Sequence, residues 1–238
     1  MLPSLRVISV LAVALGVLTA GAFALQAHDR GSLGDADLTM QRYVVSRLAA
    51  PVPAHVRHQW VQRLSRAEGI PAPAVRAYAR AQLAAPRGCG IGWPTLAGIG
   101  YVESHHGTLG GRTLLADGRS SSPIVGPALD GTGDFAAIRS TPASRALHGD
   151  AVWEHAVGPM QFLPETWSRY ATDGDGDGHA GALDLDDAAA TAARYLCAGG
   201  GDLGTGVGWE KAVLSYNHSR EYVDAVYAAA TAYAHRAG

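Results

Sequence analysis

The chain of 238 residues contains a single lysine, Lys211, and only six glutamates against fifteen aspartates. Charge is sparse throughout. Asp, Glu, Lys and Arg make up 17% of the residues while 47% are hydrophobic, and an average domain carries roughly 25% charge. That balance excludes a disordered chain, which needs low hydrophobicity and high net charge. Neither sign dominates: the formal net charge is −2, which excludes a basic nucleic-acid binder. Two cysteines, Cys89 and Cys197, are too few for a Cys-rich zinc site. Length alone predicts one or two domains.

Long apolar runs are also scarce, and a single one approaches membrane-spanning length. It runs without charge from Val7 to Leu25, after Arg6. Ala20-Gly21-Ala22 and Ala22-Phe23-Ala24 follow as small-residue exits before His28-Asp29-Arg30. A short basic start, a long apolar run and an A-x-A exit describe a signal peptide; uncut, the run can serve as an anchor. Residues 1–27 are therefore expected to be a signal peptide or N-terminal membrane anchor, 28–38 a linker, and 39–238 the folded domain. No cysteine follows the run, so a lipoprotein is excluded. The protein is expected outside the cytoplasm, secreted or singly tethered. There a cysteine pair usually oxidises. A Cys89–Cys197 bridge would close a loop of about 108 residues, worth roughly 4–5 kcal/mol on chain-entropy grounds; two buried free thiols are the alternative.

β-alternation is scarce and no internal repeat is visible. Helical spacing predicts helices over 39–49, on Met40, Tyr43, Val44 and Leu48, and over 54–68, on Val56, Trp60, Val61 and Leu64. Pro71 and Pro73 open another, since proline suits a first helical turn. A helix over 93–103 begins near Pro94 and stops by Gly107. Residues 108–152 are rich in Gly, Ser, Pro and Asp and lack periodicity, the mark of a functional loop. Helices return over 164–171, 187–198, 209–217 and 219–236. The fold class is all-α, mostly helical with long irregular loops.

Among the six glutamates, Glu103 stands apart. It lies seven residues after Leu96 and four after Ile99, on their helix face, where charge is rarely buried without purpose. Desolvation and the negative end of the helix dipole both favour its neutral form. A carboxylic acid still protonated near neutral pH can act as a general acid; a Glu turned to solvent or paired with an Arg is the plain alternative. Glu103 and His106 make a Glu-x-x-His pair, but a di-iron site needs a second copy and the chain has none. A second signal is Asp173-Gly174-Asp175-Gly176-Asp177-Gly178-His179, which matches an EF-hand loop with Asp at positions 1, 3 and 5 and the His179 carbonyl at 7. Position 12 is Asp184, with Asp186 and Asp187 just beyond. With only one such loop, calcium is expected as a structural staple.

These segments resemble a family when taken in order. They are Tyr101-Val102-Glu103-Ser104-His105-His106-Gly107, then Val157-Gly158-Pro159-Met160-Gln161-Phe162-Leu163-Pro164-Glu165-Thr166-Trp167, the acidic loop, Ala192-Ala193-Arg194-Tyr195-Leu196-Cys197, and Leu214-Ser215-Tyr216-Asn217-His218. Over about 70–235 the chain resembles membrane-bound lytic transglycosylases of the B type, in their actinobacterial exported form. The resemblance implies a lysozyme-like helical domain that cleaves peptidoglycan between N-acetylmuramic acid and N-acetylglucosamine without water. The product would carry a 1,6-anhydromuramic end. It implies Glu103 as the single catalytic acid and base, Gln161 as a sugar contact, and Tyr195, Tyr216, Asn217 and Tyr222 as cleft-lining residues. It also favours Asp187 over Asp184 as the closing calcium ligand. Residues 108–150 match the family only in fragments such as Val125-Gly126-Pro127.

One carboxylate suffices for such chemistry, because the nucleophile is the sugar's own 6-hydroxyl, whereas most glycosidases need two. Trp153 joins the tyrosines as a candidate for stacking on sugar. Asn217 can equally be a helix cap. The expected partner is the glycan strand, bound by a monomer, with no organic cofactor. Two other readings stand beside this one. The first is a hydrolytic muramidase whose second carboxylate is Glu154 or Asp150. The second is a non-catalytic, calcium-stabilised wall-binding protein.

Overall fold

The structure, a computed structural model, describes residues 43–236 except 47 and 134. The expected leader and linker, with Met40, lie outside the described residues. Among the described residues there are eight α-helices and no strand longer than an isolated bridge. The all-α expectation holds.

The helix boundaries follow local chemistry. Helix α1 spans His58–Glu68 and stops at Gly69, whose left-handed backbone no Cβ hinders. Helix α2, Ala72–Ala84, and helix α3, Trp93–Ser104, each carry proline in the first turn. Helix α4, Pro142–His148, opens on a capping box between Thr141 and Ser144. Helix α5 covers Pro164–Tyr170. Helix α6, Leu185–Gly200, is capped by the Asp184 side chain, and α7, Gly206–Tyr216, by Thr205. Helix α8 runs from Arg220 to Arg236.

Two expectations change. Residues 43–46 and 48–50, where the end of a helix over 39–49 is predicted, are irregular. Tyr43, Val45 and Leu48 are buried while Val44 is 66% exposed. Tyr43 to Val45 alternate as an extended strap does, and the Leu48 N–H then closes a turn on the Val45 carbonyl at 2.8 Å. The strap is tied to α8 by the Tyr43 hydroxyl, which donates to Asp224 at 2.6 Å, and by the Val44 N–H, which donates to the Tyr227 hydroxyl at 3.1 Å. In the long loop, α4 was not expected. It is a seven-residue helix, too short for its apolar spacing to stand out.

Helix α3 forms the centre of the core. It was expected to bury one stripe, yet every residue from Trp93 to Gly100 is buried. Two glycines make this possible. A Cβ at Gly98 would lie 2.8 Å from the Val226 carbonyl oxygen of α8, and one at Gly100 would strike the Tyr78 hydroxyl of α2. Small residues at these points let both neighbours approach the α3 backbone directly. Helix α2 also packs on α6, and α6 on α7. Cys89 and Cys197 form a disulfide with Cα atoms 5.4 Å apart, fastening the turn before α3 to α6. Against the helices lies a layer, the described residues of 113–163, that is irregular outside α4 and stitched by isolated bridges such as Val125 with Val157 and Arg139 with Trp153.

Candidate active site

The last turn of α3 carries Glu103. Just beyond it the backbone is left-handed at three successive residues, His105 (φ 51°), His106 (φ 60°) and Gly107 (φ 84°). Left-handed backbone is uncommon without glycine, so something must hold it. The His105 N–H donates to the Tyr101 carbonyl at 2.9 Å, and the His106 N–H to that of Gly100 at 2.8 Å. The buried His106 ring contacts the Tyr78 hydroxyl through Nδ1 at 3.0 Å and the Tyr233 hydroxyl through Nε2 at 2.9 Å. Burial lowers the His106 pKa to about 3, so the ring is neutral. This network fixes where α3 ends, and so where Glu103 sits. Both His106 ring nitrogens are thus engaged with tyrosines.

Ser104 ties this helix end to the segment that carries Gln161. Its hydroxyl donates to the Pro159 carbonyl at 2.5 Å and accepts from the Gly107 N–H at 2.8 Å. The Tyr216 hydroxyl, from the end of α7, donates to the neighbouring Met160 carbonyl at 2.7 Å. Gln161 itself has left-handed backbone (φ 48°), and its amide donates to the Gly158 carbonyl at 2.8 Å.

The Tyr222 hydroxyl donates to Glu103 Oε1 at 2.6 Å. Burial pushes the Glu103 carboxyl up from 4.5 to about 8, and the Tyr222 bond opposes that rise. Below that value Glu103 is a neutral acid with a proton to give. Burial also raises the Tyr222 and Tyr216 phenols well above their usual range, with the Glu103 charge adding to it. Aromatic rings continue away from Glu103. Tyr222 stacks on Tyr216 at 6.4 Å, Tyr216 meets Tyr195 at 5.8 Å, and Tyr195 meets Tyr170 at 5.0 Å. The Tyr195 hydroxyl is held by the Ser215 carbonyl at 2.5 Å.

The structure thus brings Glu103, Gln161, Tyr195, Tyr216 and Tyr222 into one connected set. Asn217 adjoins it. Its side-chain oxygen accepts the Ser219 N–H at 3.0 Å, a capping contact just ahead of α8. Trp153 has the Arg139 guanidinium over its ring at 3.9 Å, so one of its faces is covered. Tyr170, Ser104 and Tyr78 were missed. Tyr170 lies six residues past Pro164 in a short helix, and no local pattern marks it.

Asp150 and Glu154, the candidate second carboxylates, are both engaged in hydrogen bonds. Asp150 accepts the Val152 and Trp153 N–H groups at 2.7 and 3.1 Å. The buried Glu154 accepts from His148 at 2.7 Å and from the His155 N–H at 3.1 Å.

The acidic loop gathers oxygen atoms as its spacing predicts. Carboxylate oxygens of Asp173, Asp175 and Asp177 lie within 4.8 Å of one another. The chain wraps around them: Asp173 accepts the Gly176 and Gly178 N–H groups at 2.7 and 2.9 Å, and Asp177 accepts that of His179 at 2.7 Å. Gly176 and Gly178 take the positive φ angles, 85° and 90°, that the wrap requires. Asp187 faces the loop and accepts the Gly174 and Gly181 N–H groups at 2.8 and 2.7 Å. Asp184 instead caps its own helix, accepting the Asp186 N–H at 2.9 Å. Burial raises both Asp184, to about 6, and Asp187. Hard oxygen donors gathered on a glycine-bent loop suit a calcium-sized cation.

Residues 140–210 match the Transglycosylase SLT domain family. The match takes in Gln161, the acidic loop and Tyr195 but stops short of Glu103, Tyr216, Asn217 and Tyr222. Similar solved structures include the Escherichia coli lytic transglycosylase Slt35 in complex with bulgecin A, 19% identical, with a TM-score of 0.46 over 79% of this chain and 76% of that one. The same Escherichia coli enzyme in complex with calcium aligns at 19% identity and a TM-score of 0.46, over 79% and 77% of the two chains. SltB3 from Pseudomonas aeruginosa, in complex with NAG-anhNAM-pentapeptide, aligns at 19% identity and a TM-score of 0.38, over 82% and 75%. No curated protein matches the chain in sequence.

Proposed function

We propose that this chain is a peptidoglycan lytic transglycosylase in which Glu103 is the single acid and base, a reading supported by the match of residues 140–210 to the Transglycosylase SLT domain family. The observation that carries the reading is the Glu103 carboxyl itself, raised to about 8 by burial and held at 2.6 Å by Tyr222. At neutral pH it gives its proton to the glycosidic oxygen as the bond from muramic C1 breaks. The 2-acetamido group of the same sugar meets the developing positive charge, as in substrate-assisted enzymes. The Glu103 carboxylate then takes the proton of the C6 hydroxyl while that oxygen bonds to C1, giving a 1,6-anhydromuramic end. Holding the hydroxyl in place makes this step effectively unimolecular. Tyr222 steadies the carboxylate between the two proton transfers.

Gln161, Tyr195, Tyr216 and Asn217 are assigned to the glycan cleft, with the tyrosine row as its wall. Asp173, Asp175, Asp177, Asp187 and the His179 carbonyl would hold calcium. Its charge would balance the crowded carboxylates and fix the loop ahead of α6, with no part in the chemistry. Export is supported by the apolar run from Val7 to Leu25 and by the Cys89–Cys197 disulfide.

Mass spectrometry of muropeptides released from sacculi in ¹⁸O-labelled water tests the proposal. Unlabelled anhydromuramic ends are expected. Labelled reducing ends would establish a hydrolase instead, and binding without release would establish a wall-binding protein.

A further inference from the structure

We propose that His155 is a positioning residue, held as an imidazolium whose two ring N–H groups clasp the Gly126 carbonyl to the Asp150 carboxylate and so keep the backbone at Gly126 against Gln161. His155 Nδ1 lies 2.8 Å from the Gly126 carbonyl oxygen and Nε2 lies 3.1 Å from Asp150 Oδ2. A carbonyl can only accept. Asp150 can only accept as well, since the Val152 N–H, the His155 ring and the Trp153 N–H hold it down to about 2, an anion at any working pH. A neutral imidazole has one N–H to give. Both contacts therefore need the doubly protonated ring.

The other titratable groups around it agree. The His148 ring lies 4.8 Å from that of His155. Its Nδ1 accepts the Asp150 N–H at 3.1 Å, so its proton sits on Nε2, 2.7 Å from Glu154 Oε1. In that form His148 is neutral and does not repel its neighbour. Glu154 accepts the His155 backbone N–H at 3.1 Å and adds negative potential. Arg139 keeps its positive charge and lies over the Trp153 ring.

The clasp joins two walls. The Gly126 N–H donates to the Ala156 carbonyl at 2.9 Å, and its Cα is so close to Gln161 that an added Cβ would lie 2.6 Å from Oε1. Across the ring, Asp150 holds the Trp153 backbone. Loss of the His155 proton forces one of the two bonds to break and turns a ring lone pair toward carbonyl or carboxylate oxygen. Substrate binding then weakens while the Glu103 proton transfer is untouched. This consequence rests on the assignment of Gln161 to the glycan cleft.

Asn carries its amide nitrogen where His carries Nδ1, and Gln carries it where His carries Nε2. His155→Asn can thus keep the Gly126 bond, and His155→Gln the Asp150 bond. Two measurements test the clasp: ¹⁵N shifts of the His155 ring in the wild-type protein at pH 6, and KM and kcat on soluble glycan fragments from pH 5.5 to 7.5. Expected are two protonated ring nitrogens, a wild-type KM that rises about fivefold or more from the acid to the alkaline end of that range with kcat little changed, and a flat KM in both variants, lower in His155→Asn than in His155→Gln. A neutral ring at pH 6, or variants whose KM follows pH as the wild type does, would overturn the clasp. Gln161→Ala separates the two readings. If it leaves KM unchanged while the ring is doubly protonated, the cleft assignment of Gln161 fails and the clasp stands.

Discussion

Replacing Glu103 by Gln removes a titrating proton without changing shape, and its consequences for stability and activity have opposite signs. In the folded protein the carboxyl is raised from 4.5 to about 8. Between those values the native state holds a proton that the unfolded chain releases. Wild-type stability therefore falls as pH rises through this window, by linkage. The full difference corresponds to about 5 kcal/mol at ~1.4 kcal/mol per pH unit. The side chain keeps some access to solvent, which brings the expected figure to about 2–3 kcal/mol. Gln has no proton to lose, and its carbonyl can accept the Tyr222 bond. The variant should equal the wild type at pH 4, draw ahead through pH 5–8, and hold a constant lead above that. For a folded domain of this size the lead is about 5–10 °C in Tm. Denaturant unfolding of both proteins at pH 4, 6 and 9 measures it, and titrations elsewhere in the chain cancel in the difference. Turnover of sacculi should fall at least a thousandfold, since one group supplies both proton transfers. Parallel stability curves for the two proteins would show that Glu103 is not a desolvated acid, and the argument for its role would fail with them.

Tyr222→Phe removes the hydrogen bond that favours the Glu103 anion. The alkaline limb of kcat, with its midpoint near the about 8 of Glu103, should move up by about one pH unit; a limb that moved down would contradict the geometry. Asp173→Asn should weaken calcium binding, and wild-type protein in calcium at a hundred times its Kd should gain about 2.7 kcal/mol over chelated protein. Calorimetry with and without chelator reads this, and an unchanged Tm would remove the staple role. Paired Cys89→Ser and Cys197→Ser substitutions should lower unfolding free energy by roughly 4–5 kcal/mol, measured by the denaturant midpoint. A loss well under 1 kcal/mol would mean that the unfolded chain gains little freedom when the bridge is gone.

What the sequence made legible was whatever rests on local spacing. Pro94, Pro164 and the return of period-3.6 patterning located α3, α5 and α8 within a few residues, because capping and helix-face burial act over one or two turns. The acidic loop was legible for the same reason: its geometry is set by glycines and aspartates within seven residues. Glu103 was marked out by its helix position, though on an argument the fold revises. The expected apolar stripe is a helix buried all round from Trp93 to Gly100, made possible by Gly98 and Gly100. The carboxyl is therefore desolvated at the end of a core helix, where α8 and its Tyr222 close over it. That closure was not readable from spacing, because it depends on three elements meeting. The backbone reversal at His105–Gly107 is held by tyrosines 28 and 127 residues from His106. The same holds for the long loop. Its His148, Asp150, Glu154 and His155 look like scattered polar residues in sequence, yet they interlock once the Asp150 turn folds back and His155 reaches Gly126, 29 residues away.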